Sequence, residues 1–238
     1  IAIGIGIIDV KTIDKINIRE ASFKVMRLAL DNLPIKPKKA LIDGFSLKNY
    51  EIPNIGIKGG DNKIDNIKAA SIFAKVSRDS LMYQYDLIFK EYDFGNNKGY
   101  GTKVHINAIK KYKASLIHRK TFNPVFLNLE KFKWFYDKDR ILWIGNRLAG
   151  LEILKMKFKI INIIEDGYNS NRMYFVEKNN IKTIFVVFTI YKNKGILFND
   201  KKTIYKVKLS EILKEVLFSY HIKENNFRFN IINVILND

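Results

Sequence analysis

Two short apolar runs, Ala40-Leu41-Ile42-Asp43-Gly44 and Ile55-Gly56-Ile57-Lys58, constrain this chain more than any other feature. They are too short for helices and rich in branched residues, so they predict buried-type strands. Helix-period stretches flank them. Asn17 is a candidate N-cap for a helix reaching about Asp31, with Ala21, Met26, Leu28 and Leu30 among its apolar residues, and Leu33-Pro34 stops it. A longer helix is predicted over about 65–90, where Ile67, Ala70, Ala74, Leu81, Tyr85 and Ile88 recur at helical steps and form one stripe. Gly59-Gly60-Asp61 reads as a turn, Asp93–Asn97 as a loop, and Lys103–Lys113 as a further short helix. Short strands alternating with helices specify an α/β fold.

The opening stretch, Ile1 to Ile8, reads as an interior strand spaced by glycines. It lacks the basic leader of a signal peptide and runs directly into Asp9, Lys11 and Asp14. Because the first residue is Ile, the chain is expected to be a fragment that has lost its start. Residues 126–139 form a charged, aromatic connector containing Trp134 and Phe135. Beyond it the pattern predicts a helix at 140–156, strands at 158–164, 172–178 and 181–191, a helix at 207–221 and a strand at 227–236. That αβββαβ order makes a small second α/β region.

Composition removes several classes of function. No apolar run reaches the roughly 18 residues that a membrane-spanning helix needs, so no membrane partner is expected. With no cysteine there is no disulfide, no thiolate zinc site and no cysteine nucleophile, which fits a reducing compartment. The formal charge of +18 favours a polyanionic partner. It is spread evenly, however, with 22 basic against 12 acidic residues in 1–125 and 20 against 12 in 126–238. Lysine outnumbers arginine 34 to 8 beside 37 isoleucines and 24 asparagines, so an AT-rich coding bias explains the charge equally well. His105, His118 and His221 are scattered, without an i, i+4 pair or a framing carboxylate, and none reads as a metal ligand. No P-loop, GxSxG elbow or dinucleotide fingerprint is present.

Three places carry candidate chemistry. Asp43 ends a predicted strand and is followed by glycine, a position where open α/β sheets collect ligands. It is placed either to hold a hard cation or to cap the next segment. Asp79 follows Ala69-Ala70-Ser71-Ile72-Phe73-Ala74-Lys75-Val76-Ser77-Arg78 on the long helix. It is either a site carboxylate or half of an ordinary Arg-Asp surface pair. Lys98-Gly99-Tyr100-Gly101-Thr102 sets a phenol between glycines in a basic loop, suited to contact a sugar or base, or to anchor a plain turn.

In this order, the pieces resemble ribonuclease HII. Ile13-Asp14-Lys15-Ile16-Asn17-Ile18, Ala40 to Gly44, Gly60-Asp61, Ala69 to Asp79, Lys98 to Thr102 and His118-Arg119-Lys120-Thr121-Phe122-Asn123-Pro124-Val125 follow one another as that family's blocks do. The resemblance implies a ribonuclease H-like fold and a cytoplasmic endonuclease. Its implied partners are RNA–DNA hybrids and duplex DNA containing ribonucleotides, cut by two divalent ions, Mg²⁺ or Mn²⁺. It implies that Asp43 and Asp79 are catalytic metal ligands. It also implies that Tyr100, with Lys98 and Gly99, binds substrate and senses the ribose 2′-hydroxyl. The family's opening Asp-Glu pair with Gly-Arg-Gly has no counterpart, and neither Asp9 nor Asp14 replaces it. With two of four carboxylates absent, the chain is expected to cut weakly or to persist as a non-catalytic nucleic-acid-binding remnant.

Residues 140–238 resemble the small YraN family, of restriction-endonuclease-like fold, in Ile144-Gly145-Asn146, Leu148-Ala149, Phe158–Asn162, Ile184-Phe185-Val186-Val187 and Arg228-Phe229-Asn230. Arg172, Tyr174, Val187 and Thr189 stand where that family carries acidic residues and a lysine. The resemblance therefore implies a region without nuclease chemistry.

Overall fold

The computed structural model describes residues 2–129, 138–165, 172–193, 196–198 and 227–237. The expected helix at 207–221, His221, and the connector's Trp134 and Phe135 lie outside the described residues. The chain divides into two compact units, one of residues 1–83 and 91–130 and one of residues 84–90 and 131–238.

The first unit opens on helix α1 (Val10–Asp31). Asp9 caps it by accepting from the Thr12 amide at 2.8 Å. Asn17 breaks it, with φ 64° and ψ 167°, and its side chain accepts from the Arg19 and Glu20 amides. The expected N-cap is thus present, with an additional capped segment before it.

Residues 2–8 do not form the expected strand. Gly4 and Gly6 instead lie on the α1 backbone, where an added Cβ would stand 2.1 Å from the carbonyl oxygens of Ala29 and Val25 respectively. Asn32 donates to the Ile5 carbonyl at 2.8 Å. A β-branched run becomes a strand only beside a ladder partner, and none lies alongside it among the described residues.

Strand β1 (Ala40–Asp43) pairs in parallel with β2 (Asn54–Ile57), with Ala40 opposite Asn54 and Asp43 opposite Ile57. Burial alternates along β1, so it is half-buried rather than enclosed on both faces. Ala40 and Ile42 pack with Leu47 and Ile52 under Phe23, Met26 and Leu30 of α1, while Leu41 is exposed. The expected turn at Gly59–Asp61 is in fact a left-handed Gly59 followed by the single-turn helix α2 (Gly60–Lys63).

Helix α3 (Asp65–Ile88) has the predicted extent but not the predicted buried stripe. Ile67 and Ile88 are buried, whereas Ala70 and Ala74 are exposed, as are Ile72, Phe73 and Val76. A helix of 24 residues is about 36 Å long, and a two-stranded sheet is too narrow to cover such a length. The expected loop at Asp93–Asn97 contains the short helix α4 (Phe94–Asn97), and α5 (Lys103–Tyr112) follows.

The second unit pairs helix α6 (Lys138–Lys155) with a mixed sheet of β3 (Lys159–Glu165), β4 (Arg172–Lys178), β5 (Ile181–Asn193), β6 (Ile196–Phe198) and β7 (Phe227–Asn237). Strands β3, β4 and β5 form an antiparallel meander, and β7 lies parallel to β5 from Lys182 opposite Phe227 to Lys192 opposite Asn237. The short β6 was not anticipated. Met173, Phe175, Ile184 and Val186 build the core on one face. On the other face the Tyr174 hydroxyl donates to the Asn146 carbonyl of α6 at 2.6 Å. Residues 84–90 belong to this unit through Gln84, whose side chain exchanges hydrogen bonds with both backbone groups of Ile160, and through Ile88, whose carbonyl accepts from Arg172.

Candidate nucleic-acid interface

The loop after α4 is held at most of its backbone groups. The Asn97 side chain donates to the Tyr92 carbonyl at 2.7 Å and accepts from the Gly99 amide at 2.7 Å. The Tyr100 amide donates to the Asn97 carbonyl, and the Tyr100 carbonyl accepts from the Thr102 amide, both at 2.8 Å. Lys98 and Gly99 take positive φ, 50° and 78°, and a side chain at 99 would be strained there. Thr102 ends the loop by capping α5 through its hydroxyl, which accepts from the His105 amide.

This fixed loop lies on α3. Arg78 Nη2 donates to the Lys98 carbonyl at 2.7 Å, and the same guanidinium sits 5.1 Å from the centre of the Tyr100 ring. Tyr100 is 66% exposed, an unusual state for a large aromatic ring whose backbone is so tightly held. The Lys98 ammonium stands 3.3 Å over the Tyr83 ring and donates to the Gly95 carbonyl. Lys98, Gly99 and Tyr100 therefore come together as one rigid, basic, aromatic surface. It is backed by Arg78 and Tyr83 of α3, and Asp79 follows Arg78 on that helix.

Behind the loop are two buried histidines. His105 Nδ1 lies 2.9 Å from the Tyr100 carbonyl, and His105 Nε2 lies 2.9 Å from His118 Nε2. His118 Nδ1 receives the Ser115 amide at 3.0 Å and hydroxyl at 2.7 Å. Burial, reinforced by the neighbouring His105, pushes the His118 imidazole down to about 3. Burial also lowers His105, opposed by its bond to the Tyr100 carbonyl and by Asp93. Sequence reasoning missed this pair because 13 positions separate its members and no periodic spacing relates them.

The two predicted carboxylates each have one partner of their own. Asp43 Oδ1 accepts from the amide of Gly60, the first residue of α2, at 2.8 Å. Asp79 lies 3.9 Å from Arg78 Nη1, a loose pair. Among the described residues no group of three or more histidine, aspartate or glutamate side chains is gathered where an ion could bind. Asp43 and Asp79 alone do not fit a two-ion centre: they offer at most one carboxylate to each ion, with none left to bridge the two. In the second unit Arg172, Tyr174 and Val187 are buried in packing, and Arg172 pairs with Glu165 at 2.6 Å. No described helix is long and apolar enough to cross a membrane.

Helices flanking a parallel strand pair make the first unit an α/β structure consistent with a ribonuclease H-like domain. The family model for ribonuclease HII matches residues 2–125, and the chain belongs to that family. The curated ribonuclease HII of Acholeplasma laidlawii is 48% identical over 125 residues, covering 52% of this chain and 61% of the relative. That of Lactobacillus helveticus is 47% identical over 125 residues, 52% of this chain and 50% of the relative. That of Listeria innocua is 49% identical over 125 residues, 52% of this chain and 48% of the relative. The chain spans about half the length of the curated relatives it matches.

Proposed function

We propose that this chain is the ribonucleotide-recognising part of a ribonuclease HII. Such an endoribonuclease acts on RNA–DNA hybrids and on duplex DNA containing ribonucleotides. The observation that carries the reading is the exposed Tyr100 ring on an immobilised basic loop, inside the segment that matches the family. A phenol held by its backbone and left open to solvent offers a stacking face to a sugar and a hydroxyl to a ribose 2′-OH. Arg78 and Lys98 supply positive charge beside it for the phosphate backbone.

Two-ion hydrolysis with Mg²⁺ or Mn²⁺ is the cutting chemistry that the resemblance implies, with Asp43 and Asp79 as its ligands. The donor set among the described residues falls short of that requirement, so no step is assigned to bound metal. The function these residues support is recognition, and cutting by the 238-residue chain alone is expected to be weak. The buried packing of Arg172, Tyr174 and Val187 supports a non-catalytic role for the second unit.

The test is a cleavage assay with Mg²⁺ or Mn²⁺ on a duplex bearing one embedded ribonucleotide, run beside a binding titration over salt. Binding that weakens steeply with salt, with little cutting, is expected. Robust metal-dependent cutting that Asp43→Asn abolishes would overturn the statement about weak cutting. A flat salt dependence would overturn the recognition reading.

A further inference from the structure

The two buried histidines admit one arrangement of protons. The Tyr100 carbonyl can only accept, so His105 Nδ1 carries a hydrogen and donates to it. The Ser115 amide can only donate, so His118 Nδ1 is an acceptor. A neutral His118 then carries its hydrogen on Nε2 and donates to the bare Nε2 of His105. The result is a directed chain from Ser115 through His118 and His105 to the Tyr100 carbonyl. His105, Ser115 and His118 are each less than 8% exposed, and the rings of Tyr92 and Phe94 pack around the imidazoles. Such a chain is costly to break, because each member left without its partner would be a buried unsatisfied polar group.

We propose that the His118–His105 pair is the positioning element of the Tyr100 loop, and that it sets how well the phenol discriminates a ribonucleotide from a deoxyribonucleotide. This rests on the recognition reading above. Neither histidine touches nucleic acid in this scheme. They act through the Tyr100 carbonyl, which takes one hydrogen bond from Thr102 within the loop and a second from His105 on α5. The second bond ties the exposed loop to the buried aromatic cluster.

Two substitutions at one position separate positioning from packing. In His105→Asn the amide nitrogen can reach the place of Nδ1 and still donate to Tyr100. In His105→Gln the amide group reaches the place of Nε2, keeping the contact to His118 but leaving Tyr100 without its donor. The first readout is hydrogen exchange of the amides at 98–102, which needs no nucleic acid. The second is the ratio of affinities for a duplex with one embedded ribonucleotide and its all-DNA counterpart. Melting temperatures are recorded beside both.

His105→Gln is expected to speed exchange at Tyr100 and Thr102 and to reduce the affinity ratio, each by about tenfold, as for loss of one buried hydrogen bond. Its all-DNA affinity stays unchanged. His105→Asn keeps the donor to Tyr100 but gives up the contact to His118, so it is expected to fall between the parent and His105→Gln on both readouts. Equal losses in both variants that track melting temperature would reduce the pair to core packing, and unchanged exchange in both would overturn the proposal. If His105→Gln does not fold, His105→Leu decides, since it keeps an apolar side chain of similar size without the donor: faster exchange at Tyr100 and Thr102 supports the proposal, and exchange as slow as the parent's overturns it. A parent chain that binds both duplexes equally defeats the recognition reading, and the exchange arm then still decides whether the pair holds the loop.

Discussion

The Arg78 guanidinium lies 5.1 Å from the centre of the Tyr100 ring while its Nη2 donates to the Lys98 carbonyl at 2.7 Å. One side chain on α3 thus fixes the loop backbone and one face of its aromatic ring. Arg78→Ala removes both contacts and a nearby positive charge. Its affinity for a duplex with an embedded ribonucleotide is expected to fall about tenfold, in line with an exposed cation–π contact plus one charge-assisted hydrogen bond. Arg78→Lys keeps the charge without the planar fork and should recover only part of the loss. Fluorescence anisotropy at fixed salt measures both, and unchanged binding by Arg78→Ala would remove Arg78 from the interface.

The order of the candidate blocks was legible in the sequence, and so were the extents of β1, β2, α3 and the β3–β5 meander, because each follows from local periodicity. What failed depended on neighbours. The glycine-spaced opening has strand composition but lies on α1, and Ala70 and Ala74 fit a buried stripe but face solvent. Period describes which residues share a face, not whether anything covers it. The same limit hid His105 and His118, since a contact between two loop-and-helix residues leaves no spacing to read. Asp43 was legible as a strand-end carboxylate, but only the structure shows which group it accepts from.

Asn17 carries a positive φ and two amide hydrogen bonds at the break in α1. Asn17→Ala removes the cap, about 1 kcal/mol, and keeps a Cβ at the same positive φ. Asn17→Gly loses the cap but not the backbone freedom and should cost about half as much. Urea unfolding of the two variants gives the comparison. Equal losses would show that the backbone angle at position 17 contributes nothing.

Asp14 joins α1 to the His118–Val125 segment by accepting from the amides of Lys120 and Thr121 and from the Thr121 hydroxyl, the last at 2.6 Å. Burial raises its carboxyl, but the Thr121 hydroxyl and the two amides outweigh it, so the net shift is downward. A carboxylate lowered in the folded state adds stability above its unfolded pKa and loses it as pH falls through the folded one. The stability gap between the parent and Asp14→Asn is therefore expected to be full at neutral pH and to close as pH drops below the usual carboxylate range. A gap independent of pH would mean that the charge on Asp14 is immaterial.

His118 is held neutral by burial first and by His105 second, down to about 3. The unfolded chain binds that proton near the ordinary histidine value of 6.5, so stability falls as pH drops from there toward 3 and is fully present above it. An NMR titration of the His118 ring should show no inflection between pH 5 and pH 8, the interval in which an exposed imidazole titrates. An inflection near 6.5 would place the imidazole in water and break the proton chain to Tyr100.

The most direct measurement is the affinity of the full chain for a duplex with one embedded ribonucleotide against the same duplex in all-DNA form, at one salt concentration and without divalent metal. The ribonucleotide duplex is expected to bind about tenfold more tightly, and Tyr100→Ala to erase that preference while leaving the all-DNA affinity within about twofold. Equal binding of the two duplexes by the parent chain, or a preference that survives Tyr100→Ala, would contradict the assignment of this loop as the ribonucleotide reader.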